Sequence, residues 1–384
     1  MKKLLILLAI LAALYVAAVI IVPPRVDRAM TRVNGLWPFD QARPSARALH
    51  ERLVIADLHA DSLIWGRDLL RRDPSRGQVD IPRLHEANVA LQVFSVPTKV
   101  PKDRPDPHSL NLLTMSAIAQ AWPPATWFRL DSRALHAAKL LDRFASRSGG
   151  ALTVIRTRGD LQRLLEARGR GAKTAGGVLA IEGLHSLEGD AANVDRFFDR
   201  GYRMAGLVHQ FDNDLGGSSQ GAGRGGLTPF GRTVVQRMEE RGMIIDLAHA
   251  SPAVIRDVLA MAKKPVVVSH TGVRGTCDRS RNLTDDEVRA IAAKGGLIGI
   301  GFWSGATCGS SAKDVARAMR HAANLAGADH VSLGSDFDGD RMPFDATGLV
   351  QITDALLGEG FSEGEIRKIM GDNVVRFLMN GLPE

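Results

Sequence analysis

Short runs of apolar residues alternate along the chain with longer segments in which apolar residues recur at helical spacing. The short runs, rich in Val, Ile, Leu and Gly, are typical of buried parallel strands, and the longer segments are typical of crossover helices. Eight strands joined by eight crossovers close naturally into an α/β fold of the (β/α)8 barrel type. Eight such runs occur, at Leu53–Leu58, Val89–Val96, Gly177–Ile181, Met204–Val208, Met243–Leu247, Pro265–Ser269, Leu297–Phe302 and His330–Ser335.

Two of the predicted crossover helices have clear start signals. Ser251 followed by Pro252 combines an N-cap residue with a proline at the first helical position. Thr284 with Glu287 three residues later has the pattern of a capping box. Both signals follow a predicted strand, which is where a barrel of this type begins its crossover helices.

The N-terminal segment, residues 1–24, departs from this alternation. Two lysines precede nineteen uncharged residues, 4–22, and the pair Pro23–Pro24 follows. This length spans a bilayer as a helix, and the flanking lysines favour a cytoplasmic N-terminus. The small residues Val16–Ala18 also fit a signal-peptide cleavage site. We therefore expect a transmembrane anchor that ends at the two prolines, with a cleaved signal segment as the alternative.

The rest of the chain is long enough to bury a large core. The whole chain, with 384 residues of which 45% are hydrophobic and 24% charged, suits one large barrel or two medium domains. We predict a linker at 25–48, which contains proline and arginine, and one barrel domain at 49–384. The formal charge of +7 is scattered. The densest basic run, Arg67–Arg76, also holds two aspartates, so we interpret it as a solvated face and expect no nucleic-acid partner.

Residues able to bind metals stand at the carboxyl ends of most predicted strands. His59 and Asp61, two residues apart, project to one side where the first strand ends. Taken alone, such a pair also fits a buried strand that leaves the core through a polar turn. Several strands share the feature, however, and a barrel builds its active site from these strand ends. The full set is His59, Asp61, Glu182, His209, His249, His270 and Asp336.

The other histidines occupy positions that do not point to the site. His330 opens a strand and should lie at the opposite end of the barrel, and five more lie in helix-like or loop contexts. His185, three residues after Glu182, is left open between packing and support of the ligands. We interpret the remaining six as surface or packing residues: His50, His85, His108, His136, His321 and His330.

Three imidazoles and two carboxylates suit zinc, and five ligands suit two ions that share a bridging carboxylate. Glu182 is the expected bridge, which leaves Asp336 for proton transfer. No GxSxG elbow follows a strand, and neither GxGxxG nor a P-loop follows the first strand, which argues against a serine hydrolase and a nucleotide-binding protein. The Gly-rich run 216–226 lacks a Lys-Ser/Thr ending, and we interpret it as an active-site loop after His209.

Taken together, the motifs resemble the membrane dipeptidase (renal dipeptidase) family of the amidohydrolase superfamily. The resemblance extends from about Leu53 to the GDNVVRFL sequence near the C-terminus. The motifs that carry it are, in order, DLHAD, IEGLHS, LVHQFDNDLGGS, GLTPFGRTVV, MIIDLAHAS, VVVSHTGVRGTCDRSRNLTDD, IGIGFW and VSLGSDFDG.

The resemblance implies a dipeptidase with two zinc ions per chain on a (β/α)8 barrel. By the matching motifs, His59 and Asp61 would bind one zinc ion and His249 and His270 the other. Glu182 would bridge the two ions. The chemistry implied is attack on a peptide bond by metal-bound hydroxide.

The resemblance also implies roles for residues beside the metals. His209, in the LVH motif, would stabilise the tetrahedral oxyanion, the alternative being a packing histidine. Arg281, in the SRN sequence, would bind the substrate carboxylate through its guanidinium. Its alternative is a surface ion pair with Asp278 or Asp285. Asp336 would take the proton from the attacking water and pass it to the leaving amine.

The two cysteines of the chain, Cys277 and Cys308, could pair in an oxidising compartment or remain as buried thiols. The corresponding positions of the family look paired, which favours a disulfide. The Gly-rich loop and the GFW sequence resemble bacterial members. We therefore expect an inner-membrane anchor with the barrel in the periplasm, or secretion to the periplasm after signal cleavage.

Three functions remain to be distinguished. The first is a zinc dipeptidase that cleaves L,L and L-Xaa-D-Xaa dipeptides. The second is an amidohydrolase of N-acyl amino acids, lactams or lactones, and the third is a membrane-anchored binding protein without turnover. The expected partners are a dipeptide and the membrane, and the assembly is left open between a monomer and a homodimer.

Overall fold

The strands of the chain form one parallel sheet. The structure, a computed structural model, describes residues 1–33, 42–103, 105–309 and 311–384. Nine strands lie in these ranges: β1 (Ile55–Ala60), β2 (Val89–Pro97), β3 (Leu152–Val154), β4 (Ala175–Glu182), β5 (Tyr202–Gly206), β6 (Ile244–Asp246), β7 (Val267–Thr271), β8 (Leu297–Ile300) and β9 (Val331–Leu333).

Eight of these strands close into a barrel. The ring runs β1–β2–β4–β5–β6–β7–β8–β9 and returns to β1, where Asp57 lies opposite Leu333. The short strand β3 pairs with β4 outside this ring. The predicted (β/α)8 barrel is therefore confirmed, and each of the eight predicted runs overlaps one barrel strand. β3 was not predicted: only one of its three residues is buried, whereas all three residues of the equally short β6 and β9 are buried.

Helices connect the strands and surround the barrel. In the described ranges they are α1 (Lys2–Met30), α2 (Pro44–His50), α3 (Ile81–Glu86), α4 (Leu112–Ala119), α5 (Ala125–Phe128), α6 (Leu130–Arg147), α7 (Arg158–Gly169), α8 (Asn193–Asp199), α9 (Pro229–Arg241), α10 (Pro252–Met261), α11 (Asp285–Ala293), α12 (Ser304–Thr307), α13 (Ala312–Ala326), α14 (Leu349–Gly358), α15 (Glu363–Arg367) and α16 (Asn373–Gly381).

Both predicted helix starts are confirmed. The Ser251 hydroxyl accepts a hydrogen bond from the Val254 amide at the start of α10, with Pro252 in the first turn. Thr284 and Glu287 form the reciprocal bonds of a capping box at the start of α11. These caps satisfy amide groups that a helix leaves unpaired.

The N-terminal helix is longer than predicted. The prediction that Pro23 and Pro24 end it is wrong, because α1 continues to Met30. Inside a helix, proline lacks a hydrogen-bond donor and its ring clashes with the carbonyl four residues earlier, so the continuation of α1 depends on contacts made after the prolines. The turn after the prolines is held by Asp27, which is fully buried and pairs with Arg67 at 3.4 Å.

Part of the predicted linker therefore belongs to α1, and its residues 44–48 belong to α2. Residues 34–41 of that linker lie outside the described residues. Among the described residues, α1 is the one helix long and apolar enough to cross a membrane by length and composition. Its apolar side chains from Leu4 to Val22 are largely exposed.

A polar network inside the barrel joins β1 to its neighbours. The Asp57 carboxylate on β1 accepts hydrogen bonds from the Ser335 amide at 2.8 Å and the Gln92 side chain at 2.7 Å. These bonds tie β1 to β2 and to the loop after β9. The full burial of Asp57 raises the pKa of its carboxyl, and the hydrogen bonds satisfy its oxygens.

Candidate metal centre

The end of β1 supplies the first two donors. His59 is the penultimate residue of β1, and Asp61 follows the strand directly. Both side chains are buried. The Nε2 atom of His59 lies 3.4 Å from Oδ1 of Asp61. The Asp61 amide donates to the Phe337 carbonyl at 2.8 Å, so the strand end is fixed against the loop that follows β9.

Glu182, the last residue of β4, lies at the centre of the group. Its Oε1 atom is 2.9 Å from His249 Nε2, 3.3 Å from His270 Nε2 and 3.8 Å from His59 Nε2. One carboxylate thus faces the donors of three different strands. Glu182 is therefore within reach of donors from three parts of the barrel.

His249 and His270 face each other across 3.0 Å between their Nε2 atoms. The side-chain oxygen Oε1 of Gln220 lies 2.9 Å from His249 Nδ1 and accepts a hydrogen bond from it, which leaves the Nε2 lone pair free for a metal. Burial lowers the pKa of both histidines well below the usual value. Neutral imidazoles of this kind are the form that binds metals.

Asp336 approaches the same centre from the loop after β9. Its Oδ1 atom is 3.7 Å from His59 Nε2, and its backbone has a positive φ of 63°. A Cβ atom at Gly339 would lie 2.2 Å from Asp336 Oδ1 and 2.7 Å from Asp61 Oδ2. Glycine at this position therefore lets the backbone pass close to the two carboxylates.

His209 lies beside Glu182 and His249, after β5. Its Nε2 atom is 3.4 Å from Glu182 Oε2, and Nδ1 is 3.3 Å from the Lys99 carbonyl. It is buried among the donors rather than in the apolar core. His185 instead packs its ring against Phe211, with the ring centroids 5.1 Å apart.

The donor cluster is our name for the seven residues that converge here. Burial raises the pKa of Glu182 to about 8, and repulsion from the Asp61 carboxylate contributes to this shift. Burial also raises the pKa of Asp336 well above its usual range. The members are His59, Asp61, Glu182, His209, His249, His270 and Asp336.

These residues fit divalent metal ions. The buried Nε2 atom of His59 and the buried Oδ1 atom of Asp61 have no hydrogen-bond partner, which is costly unless a cation binds them. Within the cluster, sets of three donor atoms lie within 4.8 Å of one another. A bound cation also favours charged carboxylates and offsets the burial that raises their pKa.

Arg281 lies at the edge of the donor cluster, after β7. Its Nη2 atom donates to the His270 carbonyl at 2.8 Å, and its guanidinium is 5.9 Å from the Trp303 ring. Among the described residues it forms no ion pair, and its buried Nε has no hydrogen-bond partner. Asp285, one of the alternative partners, pairs with His321 at 2.8 Å.

A cavity of about 590 Å³ opens above the donor cluster, and Arg281 and Trp303 line it. Gln220, in the Gly-rich run 216–226, also lines the cavity, in accord with the prediction that this run forms a loop beside the site. Neither Gln220 nor Trp303 was predicted individually. Gln220 lies far into the loop after β5, beyond the reach of a rule based on strand ends. Trp303 stands close to the end of β8, but a search for side chains that bind metals does not select tryptophan.

The other histidines lie away from the donor cluster. His50 is buried between Thr353 and Ala87, and His330 bonds to the Gly296 carbonyl at the amino ends of the strands. His85 bonds to a backbone carbonyl, His136 stacks on Trp122, His321 pairs with Asp285, and His108 is exposed.

Cys277 and Cys308 are joined as a disulfide, with their Cα atoms 5.2 Å apart. The bridge connects the loop after β7 to the end of α12, which follows β8. Arg281 lies in the same loop as Cys277. The disulfide therefore constrains the segment that carries the unpaired guanidinium.

A closed (β/α)8 barrel with histidine and carboxylate donors at its carboxyl end defines the class of metal-dependent barrel hydrolases. Residues 43–380 match the family model described as membrane dipeptidase, peptidase family M19. The chain belongs to this family, and it is a metallodipeptidase, a hydrolase that acts on peptide bonds.

Individual relatives agree with this assignment. The chain is 28% identical over 351 residues to the dipeptidase aclJ of Aspergillus oryzae, covering 85% of this chain and 78% of that protein. It is 30% identical over 309 residues to the dipeptidase verJ of Clonostachys rogersoniana, covering 78% and 74%. The fold is similar to that of a Rhodobacter sphaeroides metallopeptidase crystallised with a phosphinate mimic of L-Ala-D-Ala, with a TM-score of 0.71, 24% identity and coverage of 86% and 99%.

Proposed function

We propose that this dipeptidase holds two zinc ions and cleaves dipeptides that carry a free C-terminal carboxylate. His59 and Asp61 would hold one ion, His249 and His270 the other, and Glu182 would bridge them. The observation that carries the proposal is Arg281, a half-buried guanidinium beside the donor cluster that has no ion pair in the described part of the chain and whose buried Nε has no hydrogen-bond partner there. When bound, the ions supply Lewis acidity and lower the pKa of water.

The other residues bind the substrate and move protons. Arg281 offers its guanidinium to the substrate carboxylate, oriented by the His270 carbonyl and the Trp303 ring. His209 Nε2, on the far side of Glu182 Oε2, donates to the oxyanion of the tetrahedral intermediate. Asp336 takes the proton of the attacking water and delivers it to the leaving amine.

Metal content and turnover of the full-length chain in detergent test the proposal together. We expect about two zinc ions per chain and hydrolysis of L,L dipeptides that stops after chelation. The panel includes L-Xaa-D-Xaa dipeptides, because the Rhodobacter relative was crystallised with a mimic of one. Zinc without dipeptide cleavage would favour N-acyl amino acids, lactams or lactones as substrates.

Glu182→Gln keeps the shape of the bridging residue and removes its charge. We expect bound zinc to fall to one ion or fewer, and kcat/KM to fall by about 10³-fold or more. Elemental analysis after dialysis measures the first effect. Glu166→Gln, on the outer helix α7 where Glu166 is exposed, is the matched control and should retain both ions.

Arg281→Ala should raise KM for dipeptides by about 30- to 100-fold, since a charge-assisted hydrogen bond to the carboxylate is lost. Arg281→Lys should recover part of this loss, because the charge remains but the planar fork does not. Arg289→Ala, an exposed arginine of α11, serves as the control. An unchanged KM in Arg281→Ala would point to substrates without a free carboxylate.

We propose further that α1 is an uncleaved anchor in the inner membrane, with the barrel in the periplasm. Its apolar length and its exposed side chains support the anchor, and the Cys277–Cys308 disulfide suits an oxidising compartment. We expect the measured mass of the mature chain to include the N-terminal residues, and we expect the chain to remain in the membrane after alkaline extraction. A soluble chain that lacks the first residues would identify a cleaved signal.

A further inference from the structure

The last turns of α1 form one wall of the substrate cavity. Val22, Pro23, Val26 and Met30 line the same cavity as Glu182 and the rest of the site. We call these four residues the α1 wall. Val22, Val26 and Met30 are each more than 40% exposed, so apolar surface of the wall faces a space that a ligand can fill.

A buried polar network fixes the α1 wall to the barrel. Arg67 Nη2 lies 2.6 Å from Asp338 Oδ2, and its Nε lies 3.4 Å from Asp27 on α1. The Gln78 side chain donates to the Thr31 carbonyl at 3.0 Å, just after α1 ends. Asp27 and Asp338 are fully buried, so the wall is a fixed part of the site.

Apolar residues of the barrel continue the surface of the wall. Trp65 lines the cavity and donates from its indole nitrogen to the Asp338 carbonyl at 2.8 Å. Met115, on α4, also lines the cavity and is 54% exposed. Tyr15 of α1 donates to the Ile118 carbonyl of α4 at 3.0 Å, so the two helices are joined beside the cavity.

The α1 wall and Arg281 line the same cavity, but different parts of the strand ring carry them. The wall docks on the loops after β1 and β9, which carry Arg67 and Asp338. Arg281 follows β7, which is two strands from β9 and three strands from β1 in a ring of eight. A dipeptide with its carboxylate on Arg281 and its peptide bond at the cluster extends its N-terminal residue toward the wall.

We propose that the α1 wall is a specificity-determining surface that receives a large apolar side chain of the N-terminal residue of the dipeptide. This inference rests on the proposed binding of the substrate carboxylate by Arg281. The membrane helix thereby selects substrate as well as anchoring the enzyme. The preferred substrates are dipeptides with Leu, Ile, Met or Phe as the first residue.

The test compares kcat/KM of the full-length holoenzyme in detergent for Leu-Gly, Gly-Leu and Gly-Gly. For the unmodified chain we expect a preference for Leu-Gly over Gly-Gly. The double variant Val26→Ala/Met30→Ala should reduce that preference by about tenfold, because methyl and methylene contacts with the leucine are lost. Cleavage of Gly-Gly should change by less than about twofold, which shows that the site remains intact.

The matched control is Leu7→Ala/Leu11→Ala, which shortens exposed side chains of the same helix away from the cavity. It should keep the preference of the unmodified chain. A preference that survives in the wall variant, or a loss confined to Gly-Leu, would overturn the inference while the dipeptidase assignment stands. If the unmodified chain cleaves none of the three peptides, the proposed substrate class fails, and the inference fails with it.

Discussion

At the scale of single residues, the donor cluster is a set of groups that are unfavourable without a cation. Glu182 and Asp336 are buried carboxyls whose pKa values burial raises, to about 8 for Glu182. His249 and His270 are held neutral by burial. Bound metal ions would stabilise both kinds of residue, because metal ions bind charged carboxylates and neutral imidazoles. The residues are therefore organised for ligand binding at a cost in stability.

His50 gives a residue-scale prediction outside the site. Burial lowers its pKa to about 4, so the unfolded chain binds a proton near pH 6.5 that the folded chain does not bind until about pH 4. The stability that depends on neutral His50 is present above about pH 6.5 and is lost as the pH falls toward 4.

The variant His50→Gln should show a smaller loss of Tm than the unmodified chain between pH 6.5 and pH 4. The largest difference corresponds to about 1.4 kcal/mol per pH unit for one proton. Thermal unfolding at several pH values measures it. His108→Gln, in an exposed loop, should follow the unmodified chain, and equal slopes for all three proteins would contradict the prediction.

At the scale of elements, α1 behaves as a part of the barrel domain. Its buried residue Asp27 pairs with Arg67, and Arg67 pairs with Asp338 in the loop that also carries Asp336. Arg341 adds a hydrogen bond to the Ala29 carbonyl. The N-terminal helix and the loop that carries a proposed proton-transfer residue therefore share one set of contacts. Arg67 was predicted to lie on a solvated face, and it is buried because Asp27 and Asp338 both require a cation.

Arg67→Met should destabilise the domain by about 3 to 5 kcal/mol, because it leaves the buried carboxylate of Asp338 without its cation and leaves Asp27 only with Arg76 at 3.5 Å. Hydrogen exchange of the last turns of α1 should become faster. Arg72→Met removes an exposed pair with Glu86 and should cost less than about 1 kcal/mol. Equal protection of α1 in both variants would show that other contacts hold the helix.

At the scale of the whole molecule, the barrel and its strand ends could be predicted from sequence. Parallel strands bury both faces, so each appears as a short apolar run, and their carboxyl ends meet at one mouth. That rule brings His59, Glu182 and Asp336 together without knowledge of the contacts between them. The rule requires only the positions of the strands along the chain, and these can be read from the sequence.

The features that could not be predicted from the sequence depend on contacts between distant segments. The continuation of α1 beyond Pro23 and Pro24 requires Arg67 as a partner for Asp27, and no local pattern encodes that pairing. Similarly, Gln220 reaches His249 only because the Gly-rich loop folds back over the mouth. Local propensity governs helix starts such as Thr284, whereas tertiary contacts decide where α1 stops.

The disulfide offers a prediction for the whole fold. It joins cysteines 31 residues apart, and closure of a loop of this length restricts the unfolded chain by about 3 to 4 kcal/mol. The double variant Cys277→Ser/Cys308→Ser should unfold at a lower temperature than the oxidised chain. Reductant should lower the Tm of the unmodified chain and leave that of the double variant unchanged, and insensitivity of both would contradict the prediction.

The contacts between α1 and the loop after β9 also bear on the order in which the enzyme is made. Along the chain, Asp27 precedes all of the described strands, and Asp338 follows the last of them. The cavity lined by α1 and by the loop after β9 cannot close on a nascent chain until the segment that carries Asp338 has been translated. A translation product that stops before this segment would carry α1 but would lack a complete site.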